Sequence, residues 1–199
     1  MSVFVDGVCL SHDSGELQLT NYGISGIPVF QISRFAAKAL LDKKTVSVEI
    51  DFFPEMEEDA FWEFIRVREK KYPERTAADF FVGIFHRKLA EFFLKQSYIP
   101  VHIKASEIRE DKWEKLVMLC KHFQVEIEDT NSFEQAQICA GGVLTDEICP
   151  TTMESKLVKG FFITGEVMDI DGICGGYNLQ WAWATGYLAG KHAAKGTES

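Results

Sequence analysis

A cluster of carboxylates and glycines near the carboxyl end of the chain contains the residue types best suited to binding a ligand. Glu166 follows a short apolar run, and Asp169 and Asp171 come next. Gly175 and Gly176 then open a segment with helical spacing. Because amides at a helix start attract anions, and a carboxylate after a strand can accept hydrogen bonds from sugar hydroxyls, the pattern favours a nucleotide site. Helix-opening glycines also serve plain turns, so the loop alone leaves that alternative open.

Other side chains beside this loop have less specific chemistry. Cys139 and Cys174 flank the glycines and are either redox-active thiols or small buried hydrophobes, the commoner case. Tyr177 either donates a proton to a substrate or packs near the helix start. Asp169 and Asp171 are either an acid and base or solvated loop carboxylates, again the commoner case. The catalytic residues therefore stay unknown at this level.

Composition limits the classes of protein that the chain can represent. It has 199 residues, 46% hydrophobic and 26% charged, which predicts one large or two small globular units. The formal net charge is -9, and the cationic residues are interspersed with acids, so we expect no nucleic-acid partner. No apolar stretch reaches the length of a membrane span, and the first residues resemble a strand and turn instead of a signal peptide. These features predict a cytoplasmic protein without membrane contacts.

The cysteines and histidines are scattered along the chain. There are five of each, without C-x-x-C or H-E-x-x-H spacing. We therefore expect neither a disulfide framework nor a metal site.

The first part of the chain is predicted to form strands around one helix. Asp6 and Gly7 separate two apolar runs, the pattern of a hairpin with a type I′ turn. Residues 16–20 and 46–52 alternate polar and apolar side chains, which is typical of half-buried antiparallel strands. A glycine turn lies between them and is followed by a predicted helix over residues 28–40.

The middle of the chain carries three amphipathic segments rich in aromatic residues. The spacing predicts a helix within residues 56–72, a second that Thr76 caps and that includes residues 81–92, and a third over residues 111–123. Three such helices most simply form a small bundle. An aromatic row could also line a ligand pocket, but helical spacing favours the hydrophobic core.

The last part returns to strand-like patterns. Val125 and Ile127 alternate with acids, and residues 135–143 are predicted to be extended and to end in the pair Gly141 and Gly142. Residues 161–164 form a continuous apolar run, which is typical of a buried parallel strand. A helix is predicted over residues 178–191, with small residues along one side that allow close packing.

Three segments of the sequence closely resemble a family of predicted flavoproteins. They are GELQLTNYGISGIPVFQISR, QAQICAGGVLTDEICPTTMESKLVKGFFITGE and DIDGICGGYNLQWAWATGYLAG. The family is that of the BaiN-type (YhiN-like) FAD/NAD(P)-dependent oxidoreductases, and the resemblance runs through essentially the whole chain. It implies that Gly165 and Glu166 end the second FAD motif, with Glu166 contacting hydroxyls or the phosphate region of the cofactor. It also implies that Gly141 and Gly142 lie near the isoalloxazine.

The same resemblance assigns the start of the last helix to the cofactor. The residues implied to face the flavin and its pyrophosphate are Gly175, Gly176, Tyr177, Asn178 and Leu179. Their amide groups would reach the pyrimidine end of the ring, where donors favour a reduced, anionic flavin.

One departure from the family pattern determines the predicted fold. The family begins with a Rossmann G-x-G-x-x-G loop, and this sequence contains none. The resemblance therefore implies a C-terminal fragment of α+β class: an antiparallel β-barrel-like insert with a small helical bundle, plus the C-terminal strand and helix of an FAD-binding α/β domain. The predicted segments are residues 1–55 (β-rich part of the insert), 56–124 (helical subdomain), 125–149 (return strands and crossover) and 150–199 (part of the FAD-binding domain).

The resemblance implies an FAD-dependent oxidoreductase that transfers hydride between a reduced nicotinamide, NAD(P)H, the flavin and an unknown small organic substrate. With half of the FAD site absent, we expect the isolated chain to bind FAD weakly or not at all and to be inactive. Its expected partner is the missing N-terminal Rossmann half, or a second copy that covers exposed apolar surface. The alternative is a non-catalytic interaction or regulatory module that retains a relic flavin motif.

Overall fold

A computed structural model describes residues 1–195 of the chain. Residues 196–199, the end of the predicted segment 150–199, lie outside the described part. The strands are β1 (Ser2–Val5), β2 (Val8–His12), β3 (Leu17–Leu19), β4 (Ile24–Gly26), β5 (Val46–Ile50) and β6 (Phe123–Glu126). The helices are α1 (Ile27–Leu41), α2 (Glu58–Lys71), α3 (Ala77–Phe80), α4 (Arg87–Gln96), α5 (Glu110–Lys121) and α6 (Tyr177–Lys195).

This mixture of helices and antiparallel sheets confirms the α+β class. The chain folds into two compact units. The first contains residues 1–14 and 43–127, and the second contains residues 15–42 together with the chain from residue 128 onward. No helix within residues 1–195 is both long enough and apolar enough to cross a membrane.

The first unit contains a four-stranded antiparallel sheet in the order β2-β1-β5-β6. The predicted hairpin between β1 and β2 is confirmed, and Asp6 and Gly7 have the positive φ values, 49° and 80°, that a type I′ turn needs. In β5 the apolar side chains of Val46, Val48 and Ile50 are buried while their neighbours are not. The period of two read from the sequence therefore places one face of β5 in the core.

Aromatic side chains form the core of the helical part of the first unit. Those that are almost fully buried are Phe61, Phe80, Phe81, Phe93 and Trp113. Several rings meet edge to face or at a tilt, such as Phe80 and Trp113 with centroids 4.8 Å apart. The interpretation of the aromatic rows as core is confirmed.

The second predicted helix of this unit is wrong as a continuous element, because the chain forms two helices, α3 and α4. Thr76 does cap α3, since its Oγ1 accepts a hydrogen bond from the Asp79 amide at 3.2 Å. The helix then ends, and Gly83 adopts a φ of 83° that a right-handed helix does not allow. His86 begins α4 as its cap, with Nδ1 accepting from the Lys88 amide.

The second unit contains the β3-β4 hairpin, α1, α6 and a long irregular segment between residues 128 and 176. Its carboxyl-terminal part packs around Ile148, Met153, Met168 and Ala189. In this unit α6 contacts the turn at Gly165, where Ala182 lies closest to the position of a Cβ on the glycine.

The predicted buried strand over residues 161–164 is wrong. Phe161 is 54% exposed, and Phe162 forms only an isolated antiparallel bridge with Glu154. An apolar run becomes a buried strand only where other strands flank it, and here the segment around Glu154 is the neighbour that pairs with it. The predicted extended segment over residues 135–143 likewise forms one bridge, in which Val143 pairs in parallel with Met168.

A buried lysine connects the end of α5 to the loop after β5. Lys121 Nζ donates to Asp51 Oδ2 at 2.6 Å and to the carbonyl oxygens of Phe53 and Met56. The Lys121 side chain is only 6% exposed, so these three acceptors replace the water that the ammonium group loses. The loop is thereby fixed to the helix end.

We expect Lys121→Ala to lower the free energy of unfolding by about 3 kcal/mol, because it leaves Asp51 and two carbonyl groups without their buried partner. Urea unfolding measures the change. Lys104→Ala is the matched control, because Lys104 pairs with Glu74 at the exposed surface, where solvent screens the pair, and its loss should lower the stability far less. Equal losses in the two variants would contradict the role of burial.

His122 joins two carboxylates of the first unit. Its Nε2 lies 3.1 Å from Glu58 Oε2 and its Nδ1 lies 3.4 Å from Glu49 Oε1. Partial burial disfavours the charged ring, but the hydrogen bonds to Glu58 and Glu49 outweigh this effect and raise the pKa of His122 above its ordinary value.

This raised pKa predicts a pH-dependent contribution to stability. The contribution is complete below the unfolded pKa, about 6.5, and is lost as pH rises through the higher folded pKa. The difference in unfolding free energy between the wild type and His122→Gln should therefore be larger at pH 5.5 than at pH 8.5, as measured by urea titration. A difference that does not change with pH, or one that persists when Glu49 and Glu58 are both replaced by glutamine, would argue against this interaction.

Candidate functional site

Side chains of α6 hold the turn at residues 165–167 by hydrogen bonds to its backbone. Gly165 has a φ of 71°, which reverses the chain direction just before Glu166. The Gly165 amide donates to Thr185 Oγ1 at 3.0 Å, and its carbonyl oxygen accepts from Trp181 Nε1 at 3.2 Å. Both polar backbone groups of this buried glycine are thus satisfied by one face of α6.

Glu166 connects this turn to the predicted glycine segment. Its Oε1 accepts a hydrogen bond from the Cys139 amide at 2.7 Å. Beyond the glycines, the Val143 amide donates to the Val167 carbonyl, and the Asp169 amide donates to the Val143 carbonyl, both at 2.9 Å. Residues 139–143 therefore lie alongside residues 166–169.

Gly142 is required at the closest point between these two segments. A Cβ at Gly142 would lie 2.4 Å from the Val167 carbonyl oxygen, and its φ of 147° also disfavours other residues. Gly141 has a φ of 94° and open space where a Cβ would be. The structure therefore brings Gly141 and Gly142 together with Gly165 and Glu166, residues that are distant in the sequence.

The start of α6 presents backbone amides to its surroundings. Gly175 and Gly176 have φ values of 117° and 92°, and the amide of Gln180 makes the first helical bond, to the Gly176 carbonyl at 3.0 Å. The amides of the three preceding residues, Tyr177 among them, are therefore left for other acceptors, as at any helix start. The Leu179 side chain is exposed. These amides can attract a negatively charged group.

The side chain of Asn178 has a structural use within the loop. Its Oδ1 accepts from the Gly172 amide at 2.7 Å, and its Nδ2 donates to the Gly172 carbonyl at 3.1 Å. Asn178 therefore fixes the loop before the helix through its side chain. The helix-start residues are connected to the Gly165 turn through α6, since Trp181 and Thr185 belong to the same helix.

Arg34 is a residue of this region that the sequence patterns did not single out. Arg34 Nη1 lies 2.6 Å from Asp171 Oδ1, and the Asp171 side chain is only 9% exposed. The expectation that Asp171 is a solvated loop carboxylate is therefore wrong, because the pair connects α1 to the loop before α6. Asp169 is exposed, as a solvated carboxylate should be. No local spacing could indicate a pair so far apart in the sequence.

The remaining candidates have less defined surroundings. Cys139 and Cys174 are each partly buried, and Tyr177 is exposed. Behind the Gly165 turn, an apolar cavity of about 240 Å³ is lined by side chains that include Met153, Met168, Trp181, Thr185 and Leu188. Within residues 1–195, no group of three or more His, Cys, Asp or Glu side chains is arranged to hold a metal ion.

Cys149 is a second residue that the sequence patterns did not identify. The hydroxyl of Thr151, 3.4 Å from Sγ, and then the hydroxyl of Thr152 and nearby backbone groups lower the pKa of the Cys149 thiol to about 7. A thiolate is the reactive form of cysteine. The thiol of Cys120 differs from that of Cys149, because burial raises its pKa above the ordinary value.

We expect alkylation of Cys149 by iodoacetamide to increase with pH around a midpoint near 7, as measured by site-resolved mass spectrometry. Thr151→Val removes the largest cause of the shift and should move this midpoint towards the ordinary value of about 8.5. Thr145→Val is the control, because Thr145 makes no hydrogen bond with Cys149 within residues 1–195. A midpoint that is the same in all three proteins would contradict the assignment.

Comparison with known proteins adds what the geometry alone does not give. The chain is 51% identical over 186 residues to a 3-dehydro-bile acid delta(4,6)-reductase of Clostridium scindens, covering 94% of this chain and 46% of the reductase. It is 32% identical over 187 residues to a ribosomal RNA dihydrouridine synthase of Haemophilus influenzae, covering 94% of this chain and 44% of the synthase. The similarly named protein of Escherichia coli is 28% identical over 172 residues, covering 86% of this chain and 40% of that protein.

The chain thus spans about half the length of the curated relatives it matches. A family model described as the HI0933-like protein barrel and H2TH domain matches residues 2–138, more than half of the chain. Because this match and the 51% identity to a reductase agree, the chain belongs to the HI0933-like family, which includes the BaiN-type reductases that its sequence resembles.

Proposed function

We propose that this chain forms the flavin-holding part of an FAD-dependent oxidoreductase. The observation that carries the proposal is the assembly of two glycine turns, Gly141 with Gly142 and Gly165 with Glu166, into one backbone surface. Reductase activity in the relative with 51% identity supports oxidoreduction as the reaction class. The cytoplasmic location stays a prediction.

The residues present are suited to the polar parts of FAD. Glu166 uses Oε1 for the Cys139 amide, while its Oε2 makes no hydrogen bond within residues 1–195 and can accept one from a ribityl or ribose hydroxyl. The amides at the start of α6, those of Tyr177, Asn178 and Leu179, can bind the pyrophosphate or the pyrimidine end of the ring.

The glycines are suited to the flat part of the cofactor. Among the described residues 1–195, none beyond the chain neighbours of Gly141 and Gly176 comes within 4 Å of where a Cβ would stand, so a ring system can approach their backbone. When bound, FAD would supply hydride transfer between NAD(P)H and an organic substrate. The chain itself would bind and orient the cofactor.

A small-molecule substrate is the better proposal for this chain than an RNA. The relative with 51% identity is named for a bile acid, whereas the relatives named for ribosomal RNA are 32% and 28% identical. The net charge of -9 also disfavours phosphate-rich partners.

The exposed surface of α6 supports a partner that completes the site. Leu179, Trp183 and Tyr187 follow one another at intervals of four residues and are 62%, 69% and 69% exposed. Side chains with this spacing form one apolar stripe on the helix. We propose that an amino-terminal Rossmann half of the same family covers this stripe and supplies the missing part of the FAD site. A second copy of the chain is the alternative occupant.

The same stripe favours a second candidate function, a non-catalytic module that binds another protein through α6. The two functions differ in flavin affinity, because a module of this kind needs no cofactor.

We expect FAD to bind weakly to the chain alone and tightly to the chain mixed with a separately expressed Rossmann half, because each half supplies only part of the contacts. Flavin fluorescence during an FAD titration measures both affinities. Glu166→Gln should weaken binding in the mixture by roughly tenfold, through loss of a charged acceptor worth about 1.5 kcal/mol. Glu134→Gln is the matched control, because Glu134 is exposed and outside the turn.

Tight FAD binding by the chain alone would contradict the expectation that the chain supplies only part of the FAD contacts. It would still support the proposal that the chain binds flavin. No binding in either sample would overturn the proposed function and favour the non-catalytic module. If Glu166→Gln and Glu134→Gln change the FAD affinity equally, Glu166 does not contact the cofactor.

A further inference from the structure

Thr185 is a buried polar residue inside α6, an unusual position for a hydroxyl group. It is 1% exposed and lies one helical turn after Trp181. Its Oγ1 is within hydrogen-bond distance of the Trp181 carbonyl, at 2.7 Å, the Ala182 carbonyl, at 3.3 Å, and the Gly165 amide, at 3.0 Å. The side chain is therefore in contact with both its own helix and the turn at Gly165.

The hydrogen bonds of this hydroxyl have a defined direction. A threonine hydroxyl has one proton to donate, and the Trp181 carbonyl is its nearest acceptor. A lone pair then faces Gly165, whose amide can only donate. This arrangement fixes the Thr185 rotamer and prepares it to accept from Gly165.

The surroundings of Thr185 are mainly apolar. The adjoining cavity is lined mainly by apolar side chains, among them Met153, Met168 and Leu188. A Gly165 amide that lost its acceptor would remain unsatisfied in a buried place, which disfavours the present backbone conformation. The Trp181 indole would then provide the remaining side-chain hydrogen bond from α6 to Gly165 described within residues 1–195.

The position of Glu166 depends on this turn. Gly165 precedes Glu166 directly, and its φ of 71° sets the direction in which the next side chain leaves the backbone. Glu166 in turn holds the Cys139 amide at 2.7 Å, next to the glycine segment. A substitution at Thr185 would therefore affect the glycine segment through two contacts in series. The first joins Thr185 to the Gly165 amide, and the second joins Glu166 to the Cys139 amide.

We propose that Thr185 is a positioning residue of the flavin site, which holds Gly165 and thereby orients Glu166 towards the cofactor. The inference rests on the proposed function for its ligand, but the contact between Thr185 and Gly165 is measurable without FAD. Thr185 is buried behind the turn and acts through Gly165, so it need not touch the cofactor itself.

The test compares Thr185→Val, which keeps the shape but removes the hydroxyl, with Thr185→Ser, which keeps the hydroxyl. FAD affinity is measured on the mixture of the chain with the Rossmann half, and the exchange rate of the Gly165 amide is measured on the chain alone by NMR. We expect the valine variant to bind FAD at least tenfold more weakly and to lose protection of the Gly165 amide. The serine variant should remain within about threefold of the wild type in both measurements.

Leu188→Ala is the matched control, because Leu188 lines the same cavity without bonding to Gly165. It should lower the melting temperature but leave the FAD affinity within about twofold, which separates positioning from general destabilisation. If the valine variant does not fold, Trp181→Phe provides the second test, since it removes the indole donor to the Gly165 carbonyl. The Trp181 variant should also weaken FAD binding.

Unchanged FAD affinity in Thr185→Val, or equal weakening in Leu188→Ala, would overturn the positioning role. Unchanged protection of the Gly165 amide would overturn the contact itself. A third outcome separates the two proposals. If the wild-type mixture binds no FAD, the proposed function is wrong. If Thr185→Val nevertheless loses protection of the Gly165 amide and Thr185→Ser keeps it, the contact between Thr185 and the turn is confirmed.

Discussion

The hydrogen bonds between Gly165 and α6 are the interaction on which the carboxyl-terminal part of the second unit depends. The segment between residues 128 and 176 has little regular secondary structure, so its backbone groups need other partners. Thr185 and Trp181 satisfy both polar groups of Gly165, and this anchors a turn that would otherwise have no sheet to hold it. From that anchor the chain reaches Glu166, and through Glu166 the segment that contains Gly141 and Gly142.

The first unit is organised by a different force. Its helices meet through buried aromatic rings, whose packing is largely apolar and needs few directed contacts. Lys121 is the main exception, since an ammonium group at the edge of this core is compensated by Asp51 and two carbonyl groups. The contrast has a functional consequence. The core of the first unit should tolerate changes of side chain that preserve volume, whereas the turn at Gly165 in the second unit depends on particular hydrogen-bond donors and acceptors.

The proposed flavin site is therefore a backbone surface supported from behind by side chains. In this proposal the glycines would allow the cofactor to approach the backbone, and Glu166 would accept a hydrogen bond from it. Helix α6 would offer the amides at its start, and its Trp181 and Thr185 hold the turn. The same helix carries an exposed apolar stripe at Leu179, Trp183 and Tyr187. In the proposed function, one helix would therefore contribute both to cofactor binding and to the attachment of a partner.

Local patterns in the sequence determined the hairpin at Asp6, the alternation of β5 and the aromatic core, because each of these depends on short-range spacing. Resemblance to a family pointed to Glu166 and the two glycine pairs as one site, but that assignment stays a prediction. Only the tertiary structure decided that residues 161–164 are not a buried strand, since burial requires neighbours that no local pattern specifies. It alone also revealed Arg34 beside Asp171 and Thr185 beside Gly165, because such contacts join residues far apart in the chain.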